Sequence, residues 1–433
     1  MAGRRLWNIA LVLLLVLSFL FGIYLRWTLQ PGPVGINPQA RIDPSKHYTL
    51  TLWDFARPFP GNDSYQEALE ATLEDFYRRF PNVTVHIELL DWGEGAERIA
   101  AALRQGEPPD VLGTGPLVEL EFGPLQVPWT PYAQEGELES YAGPALGGVR
   151  VGSELVAWPR WVTLPLWAGN EDLLAAAGIG LSEIQAAGWT WPEFIRAAHR
   201  LQEHSAGTLL FSSWDLVSLW GEIRRDVTYK GEEGLEEAAQ RALLLRDVGG
   251  VPHRVGLKGY SGLEDFFGGR IAMFGPVEPW FLRAVRERSE RVQRGTLLPV
   301  GLPPFSVALI PPPGVGEGEP LPLTQEVLVV FRQRRYRGDD QTRLAMELAR
   351  YLSQNAAHLG AGLDLIPAYT PVAKNWCQEW DVGDGRLLLN WLQYSEPLRD
   401  SPQAGEREEL ANLLADFWAG YISAADLAAE VKK

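Results

Sequence analysis

Residues of the chain that could do chemistry pair a tryptophan with a polar side chain at the end of an expected strand. Trp53 and Asp54 close the run Tyr48–Phe55, with Arg57 just after, and Trp214 and Asp215 follow the apolar run Thr208–Phe211. An indole offers a flat apolar face, and a neighbouring carboxylate or guanidinium can hydrogen-bond the edge of whatever lies on that face. The chemistry is binding. Each residue also has a plainer use, Trp53 as core packing and Asp54 as a turn or helix cap. The segment Gly113-Thr114-Gly115, after a short apolar run, brings backbone N–H groups against a ligand or simply makes a turn.

Signals for catalysis or metal binding are weak. The chain has no G-x-S-x-G, no phosphate-cradling G-x-x-x-x-G-K and no H-E-x-x-H. His199 and His204 lie five apart, off the one-turn spacing of zinc-binding helices, and the single Cys377 excludes an intrachain disulfide or a cysteine-rich metal site. No catalytic residue, metal or cofactor is expected. A glycosidase needs only two suitably spaced carboxylates, so among 55 acidic residues a pair will always qualify on sequence alone.

The elements that position these residues read as α/β. Tyr48, Leu50 and Leu52 alternate, a helix capped by Ser64 carries Leu69, Leu73 and Phe76, and Val83, Val85, Ile87 and Leu89 alternate again. This β-α-β unit implies a parallel sheet covered by helices. A length of 433 residues exceeds a single core and predicts two lobes. The net charge of −16, without an offsetting basic stripe, excludes nucleic acid as a partner.

Leu6–Leu25 carries no charge, with Arg4 and Arg5 before it and Arg26 after. Twenty residues of helix reach about 30 Å, the thickness of a bilayer core, so one N-terminal transmembrane helix is expected over 1–27, with Trp7, Tyr24 and Trp27 at its ends. A cleaved signal segment is the alternative. The Pro/Gly-rich stretch 28–46 reads as a spacer, and the arginine bias places the globular part on the outer side of a cell membrane.

Several segments, in order, resemble the extracellular solute-binding proteins of ABC importers, the carbohydrate-type family that includes maltose-binding protein. They are LTLWDF (Leu50–Phe55), FYRRFPNVTV, PPDVL (Pro108–Leu112), LVAWP (Leu155–Pro159), AAAGI (Ala175–Ile179), WTWPEFIRAAHRL (Trp189–Leu201), FFGGRIAMFGPVEPW (Phe266–Trp280), ELARYLSQN and GLDLIPAYTPV. Their order and spacing over roughly residues 47–433 are the signal.

The resemblance implies a two-lobe periplasmic-binding-protein-like fold of the hinged type II. Lobe 1 is expected over 47–158 plus 325–370, and lobe 2 over 159–324 plus 371–433. It further implies capture of a sugar-like small solute for an ABC permease. A ligand-sensing or interaction protein on the outer face of the membrane is the alternative. Arg160, Trp161 and Thr163, just past the expected first crossing, become second-lobe candidates for the ligand. Glu278 and Trp280 join them from the turn that resembles the family's Gly-Pro-Trp, and Tyr369 from the return crossing. Where the family often has a Tyr-Asn pair, this chain reads Trp167-Ala168-Gly169-Asn170.

Overall fold

The computed structural model describes residues 18–19, 36–59, 64–115, 122–205, 207–225, 227, 231–253, 255, 261–297, 304–315, 320–332, 337–397 and 404–431. Apart from Ser18 and Phe19, the expected membrane helix lies outside these residues. Among them, no helix is long and apolar enough to cross a membrane.

Among the described residues, thirteen strands form two main sheets and a hairpin. In chain order they are β1 (Tyr48–Phe55), β2 (Val83–Leu90), β3 (Val111–Thr114), the hairpin β4 (Arg150–Val151) and β5 (Glu154–Leu155), then β6 (Trp158–Thr163), β7 (Leu166–Asn170) and β8 (Leu209–Ser212). The chain continues with β9 (Ile271–Val277), β10 (Val307–Ile310), β11 (Leu321–Val330), β12 (Ile366–Pro367) and β13 (Ser395–Pro397). The first sheet runs β12-β6-β11-β3-β1-β2, with β13 also paired to β11, and the second runs β10-β7-β9-β8.

β1 is parallel to β2 and β3, as the β-α-β pattern requires, whereas β11 returns antiparallel between β3 and β6. The intervening helices start where the sequence marks them. Ser64 with Glu67, and Thr190 with Glu193, form reciprocal capping boxes, satisfying backbone N–H groups that a helix leaves orphaned.

Each sheet lies in its own apolar core. Leu50, Leu52, Val111, Leu112, Val327 and Leu328 are wholly or almost wholly buried around the first sheet, with Phe76, Leu344 and Leu348 from flanking helices. Trp167, Phe194, Phe211 and Trp220 form the second core, to which the C-terminal helices add Leu414, Phe417 and Leu427. Phe274, Val277 and Phe281 of the second lobe join the first core, so the lobes meet through packed side chains and not through linkers alone.

The lobe limits differ from expectation at two places. β6 belongs wholly to the first sheet, so the chain crosses at Leu164-Pro165 and not at 158, and Arg160, Trp161 and Thr163 are first-lobe residues. β6 was obscured because Pro159 and Arg160 interrupt its apolar run. Residues 371–397 also stay with the first lobe. Trp376 and Trp391 are buried in its core and β13 pairs with β11, and only the helices Ala404–Ala419 and Ala424–Val431 return to the second.

Candidate functional site

A cleft of about 500 Å³ lies between the lobes. Parallel strands direct their carboxyl ends to one edge of a sheet, and the first wall is built at such an edge. Arg57 and Phe59 follow β1, and Trp92 follows β2. Trp92 stacks on Phe55 with ring centroids 4.5 Å apart and donates its indole N–H to the Ala56 carbonyl at 2.6 Å, which fixes it as a platform. Glu326 of β11 and Asp364, before β12, complete this side. The opposite wall is the end of β9 and the helix Trp280–Gln293, which present Glu278, Trp280, Arg283 and Glu287.

Trp92 is 54% exposed and Trp280 is 42% exposed, whereas Trp161, in the first core, is fully buried. Open indoles on both walls are costly to leave in water and well suited to a ring-shaped partner.

Beneath the cleft lies a set of buried charges. Asp54, wholly inaccessible, accepts from Arg160 at 2.6 Å, from the Tyr65 hydroxyl at 2.7 Å and from the Phe55 N–H at 2.8 Å. Burial opposes its charge, but Arg160 and Arg57 prevail and hold the carboxyl below the ordinary range. Arg57 pairs with Glu326 at 2.6 Å. Here burial, helped by the nearby Asp54, outweighs Arg57, and the Glu326 carboxyl is pushed up to about 7. Burial also raises Glu278, against a hydrogen bond from Trp280.

The walls are joined by a bridge. Arg283 gives Nε and Nη2 to Asp364, at 2.8 Å to Oδ2 and 2.8 Å to Oδ1 respectively, and Trp380 donates to the same carboxylate at 2.8 Å. One helix therefore carries both Trp280 into the cleft and, one turn later, the contact that ties the lobes together.

Of the residues expected from sequence, Glu278 and Trp280 line the cleft, as does the neighbouring Arg57. Asp54 and Arg160 lie under it as a buried pair. Trp161 packs inside the first core, donating to the Ala356 carbonyl at 2.9 Å, with the Arg160 guanidinium 3.8 Å from its ring centre. Thr163 is buried, and its hydroxyl meets no partner among the described residues. Thr114 is buried within β3, paired in register with Val327.

The other candidates serve local structure. Trp53 is half-buried under Arg98, 4.9 Å from its ring centre. Trp214 donates to the Pro276 carbonyl at 2.7 Å, and Asp215 caps the helix Leu216–Arg224 while pairing with Arg407 at 2.7 Å. Tyr369 packs on Tyr141, with ring centroids 5.2 Å apart. Trp167, at the position of the Tyr-Asn pair, is sealed in the second core, stacked on Phe211 at 3.9 Å and bonded to Glu222 at 2.6 Å.

Sequence reasoning missed Trp92, Phe59, Glu326, Arg283, Glu287 and Asp364. Two of them left a signal. Asp91-Trp92-Gly93 follows its strand as Trp53-Asp54 ends its own, and Gln325-Glu326 interrupts an otherwise apolar central strand. Among the described residues no cluster of His, Cys, Asp and Glu is arranged to hold a metal.

Comparison with known proteins adds the decisive observation. Residues 61–274 match the family model described as bacterial extracellular solute-binding protein. Over that stretch the chain is similar to that family. No curated sequence matches the chain. Its fold is shared with a cyclic alpha-maltosyl-1,6-maltose binding protein from Arthrobacter globiformis, at TM-score 0.65 and 15% identity over 89% of this chain and 97% of that one. It is also shared with the sugar-binding protein MalE from Xanthomonas citri, at TM-score 0.65 and 17% identity over 89% and 95%. A family 1 extracellular solute-binding protein from Alicyclobacillus acidocaldarius gives TM-score 0.66 and 14% identity over 90% and 98%. Likeness at such identity concerns the two-lobe α/β fold.

Proposed function

We propose that the protein captures a carbohydrate in the inter-lobe cleft and delivers it to an ABC permease, held at the outer face of a membrane by the apolar run Leu6–Leu25. The observation that carries the capture step is the pair of exposed indoles, Trp92 on one wall and Trp280 on the other, around a cleft of a size typical of small-molecule sites. Stacking would take the apolar faces of a sugar ring, while Arg57, Glu278 and Glu326 would meet its hydroxyls. Two structural neighbours, a cyclic alpha-maltosyl-1,6-maltose binding protein and a sugar-binding protein, support that class. Binding would favour the conformation in which both walls contact the solute, and that difference between states is what a permease could read.

Calorimetric titration of the full chain with a panel of neutral and acidic mono- and oligosaccharides tests this. A binding saccharide is expected to lose about 1–3 kcal/mol of affinity in Trp280→Ala. An unchanged dissociation constant would take Trp280 out of the site, and a panel without binders would end the carbohydrate reading.

A further inference from the structure

The charges on and beneath the cleft do not balance. Its bases are already paired, Arg160 with the buried Asp54, Arg57 with Glu326 and Arg283 with Asp364. Arg286, on the next face of the same helix, pairs with Asp381. Glu278 and Glu287 also line the cleft, and among the described residues neither has a basic side chain within ion-pair distance. Glu287 lies one turn beyond Arg283, whose Nε and Nη2 are committed to Asp364 and the Ala361 carbonyl. Five carboxyls thus stand against three guanidiniums at the site. It is negative with every group ionised, and it stays negative with Glu326 neutral.

The two unpaired acids share one wall with an open indole. Trp280, Arg283, Ala284 and Glu287 follow the spacing of three and four residues that puts side chains on one face of a helix, and that face lines the cleft. Glu278 lies two residues before Trp280, which hydrogen-bonds to it. Elsewhere the chain covers indoles with guanidiniums. Trp53 lies 4.9 Å from Arg98, Trp158 5.1 Å from Arg350 and Trp191 5.2 Å from Arg241, measured to the ring centre. Trp280 is 42% exposed, and among the described residues no cation lies over its ring. An indole face attracts a cation, and a carboxylate beside it strengthens the attraction. Burial raises the Glu278 carboxyl, and a cation next to it would favour the charged form.

We propose that the solute is a saccharide bearing an ammonium group, as an unacetylated amino sugar does, held against Trp280 by the carboxylates of Glu278 and Glu287. This rests on the solute-binding reading above and narrows it to cationic saccharides. The neutral counterpart binds through the same ring contacts, more weakly.

The test is calorimetric titration of the full chain at pH 6, where the sugar amine is protonated. In the glucose and the galactose series, the amino, N-acetylamino, parent and uronic acid disaccharides present one ring with different charges. In at least one series the amine should bind tenfold or more tightly than the acetylated and parent sugars, and the acid no more tightly than the parent. The double variant Glu278→Gln with Glu287→Gln, which removes both charges and keeps the side-chain size, should cut the amine's advantage over the parent sugar at least fivefold. If a neutral or acidic sugar binds and no amine reaches the tenfold margin, the ammonium proposal is overturned and saccharide capture stands, a result that needs no variant. An advantage that survives the double variant intact also overturns it. If no sugar of any charge binds, the proposal and the saccharide reading fall together.

Discussion

Replacing Asp54 with alanine separates a structural keystone from a ligand contact. The carboxylate is wholly buried and accepts hydrogen bonds from Arg160, Tyr65 and the Phe55 backbone. Its loss strips the hydrogen-bond partner from a guanidinium that is itself 1% exposed and whose Nε and Nη2 have no other hydrogen-bond partner among the described residues. Removing one member of a buried pair costs about 3–5 kcal/mol, and the Tyr65 hydroxyl and Phe55 N–H each forfeit about 1 kcal/mol more. After local relaxation, a loss of about 5 kcal/mol is expected, a large share of the roughly 5–15 kcal/mol that holds a domain folded. At about 2–4 °C per kcal/mol, the melting temperature should fall by about 10–20 °C.

Differential scanning calorimetry measures this directly. Asp54→Asn, which keeps an acceptor but not the charge, should lie between the wild type and Asp54→Ala. The double change Asp54→Leu with Arg160→Met, which removes both charges together, should recover much of the loss. A shift below about 3 °C in Asp54→Ala, coupled to a weaker solute affinity, would refute the reasoning and return Asp54 to the binding surface.

Two other outcomes follow from the cleft. Arg283→Ala breaks the bridge to Asp364, so small-angle scattering should show a larger radius of gyration for the ligand-free protein. Its apparent solute affinity should fall with the population of the closed form; an unchanged radius and affinity would count against the bridge as a latch. Glu326, with a folded pKa of about 7 against 4.5 for the free side chain, binds more protons folded than unfolded between those values. Stability from this group therefore declines as pH rises from 4.5 to 7, by at most about 3 kcal/mol. Urea denaturation at pH 5 and pH 8 should show that slope in the wild type and its loss in Glu326→Gln, and identical slopes would show that Glu326 titrates normally.

The parts of the fold that sequence reveals are those fixed by short-range periodicity. β1 and β2 alternate as strands must, and the helical run between them is amphipathic, although the structure divides it at Leu73 into Tyr65–Thr72 and Glu74–Arg79. The hidden parts depend on distant partners. β6 contains Arg160, which is tolerable in a fully buried strand only because Asp54 lies opposite, 106 residues earlier. Glu326 is likewise held by Arg57, 269 residues away. β13 is three residues long, too short to carry a pattern.

The site shows the same division. Trp280 and Glu278 stood out because they lie in the short segment that resembles the family's Gly-Pro-Trp turn. Asp364 faces Arg283 only once two lobes have assembled, and no local pattern announces such a pair.

The central position of β11 in the first sheet also sets a schedule for biosynthesis. β1, β2 and β3 leave the ribosome within the first 114 residues, yet the neighbour that covers β3 spans Leu321–Val330 and its own partner β13 ends at Pro397. For most of translation β3 has an open edge, a template for unwanted pairing that closes only when the chain is nearly finished. The first sheet thus stays incomplete until the chain has grown past Pro397, whereas the strands of the second are all made by Ile310.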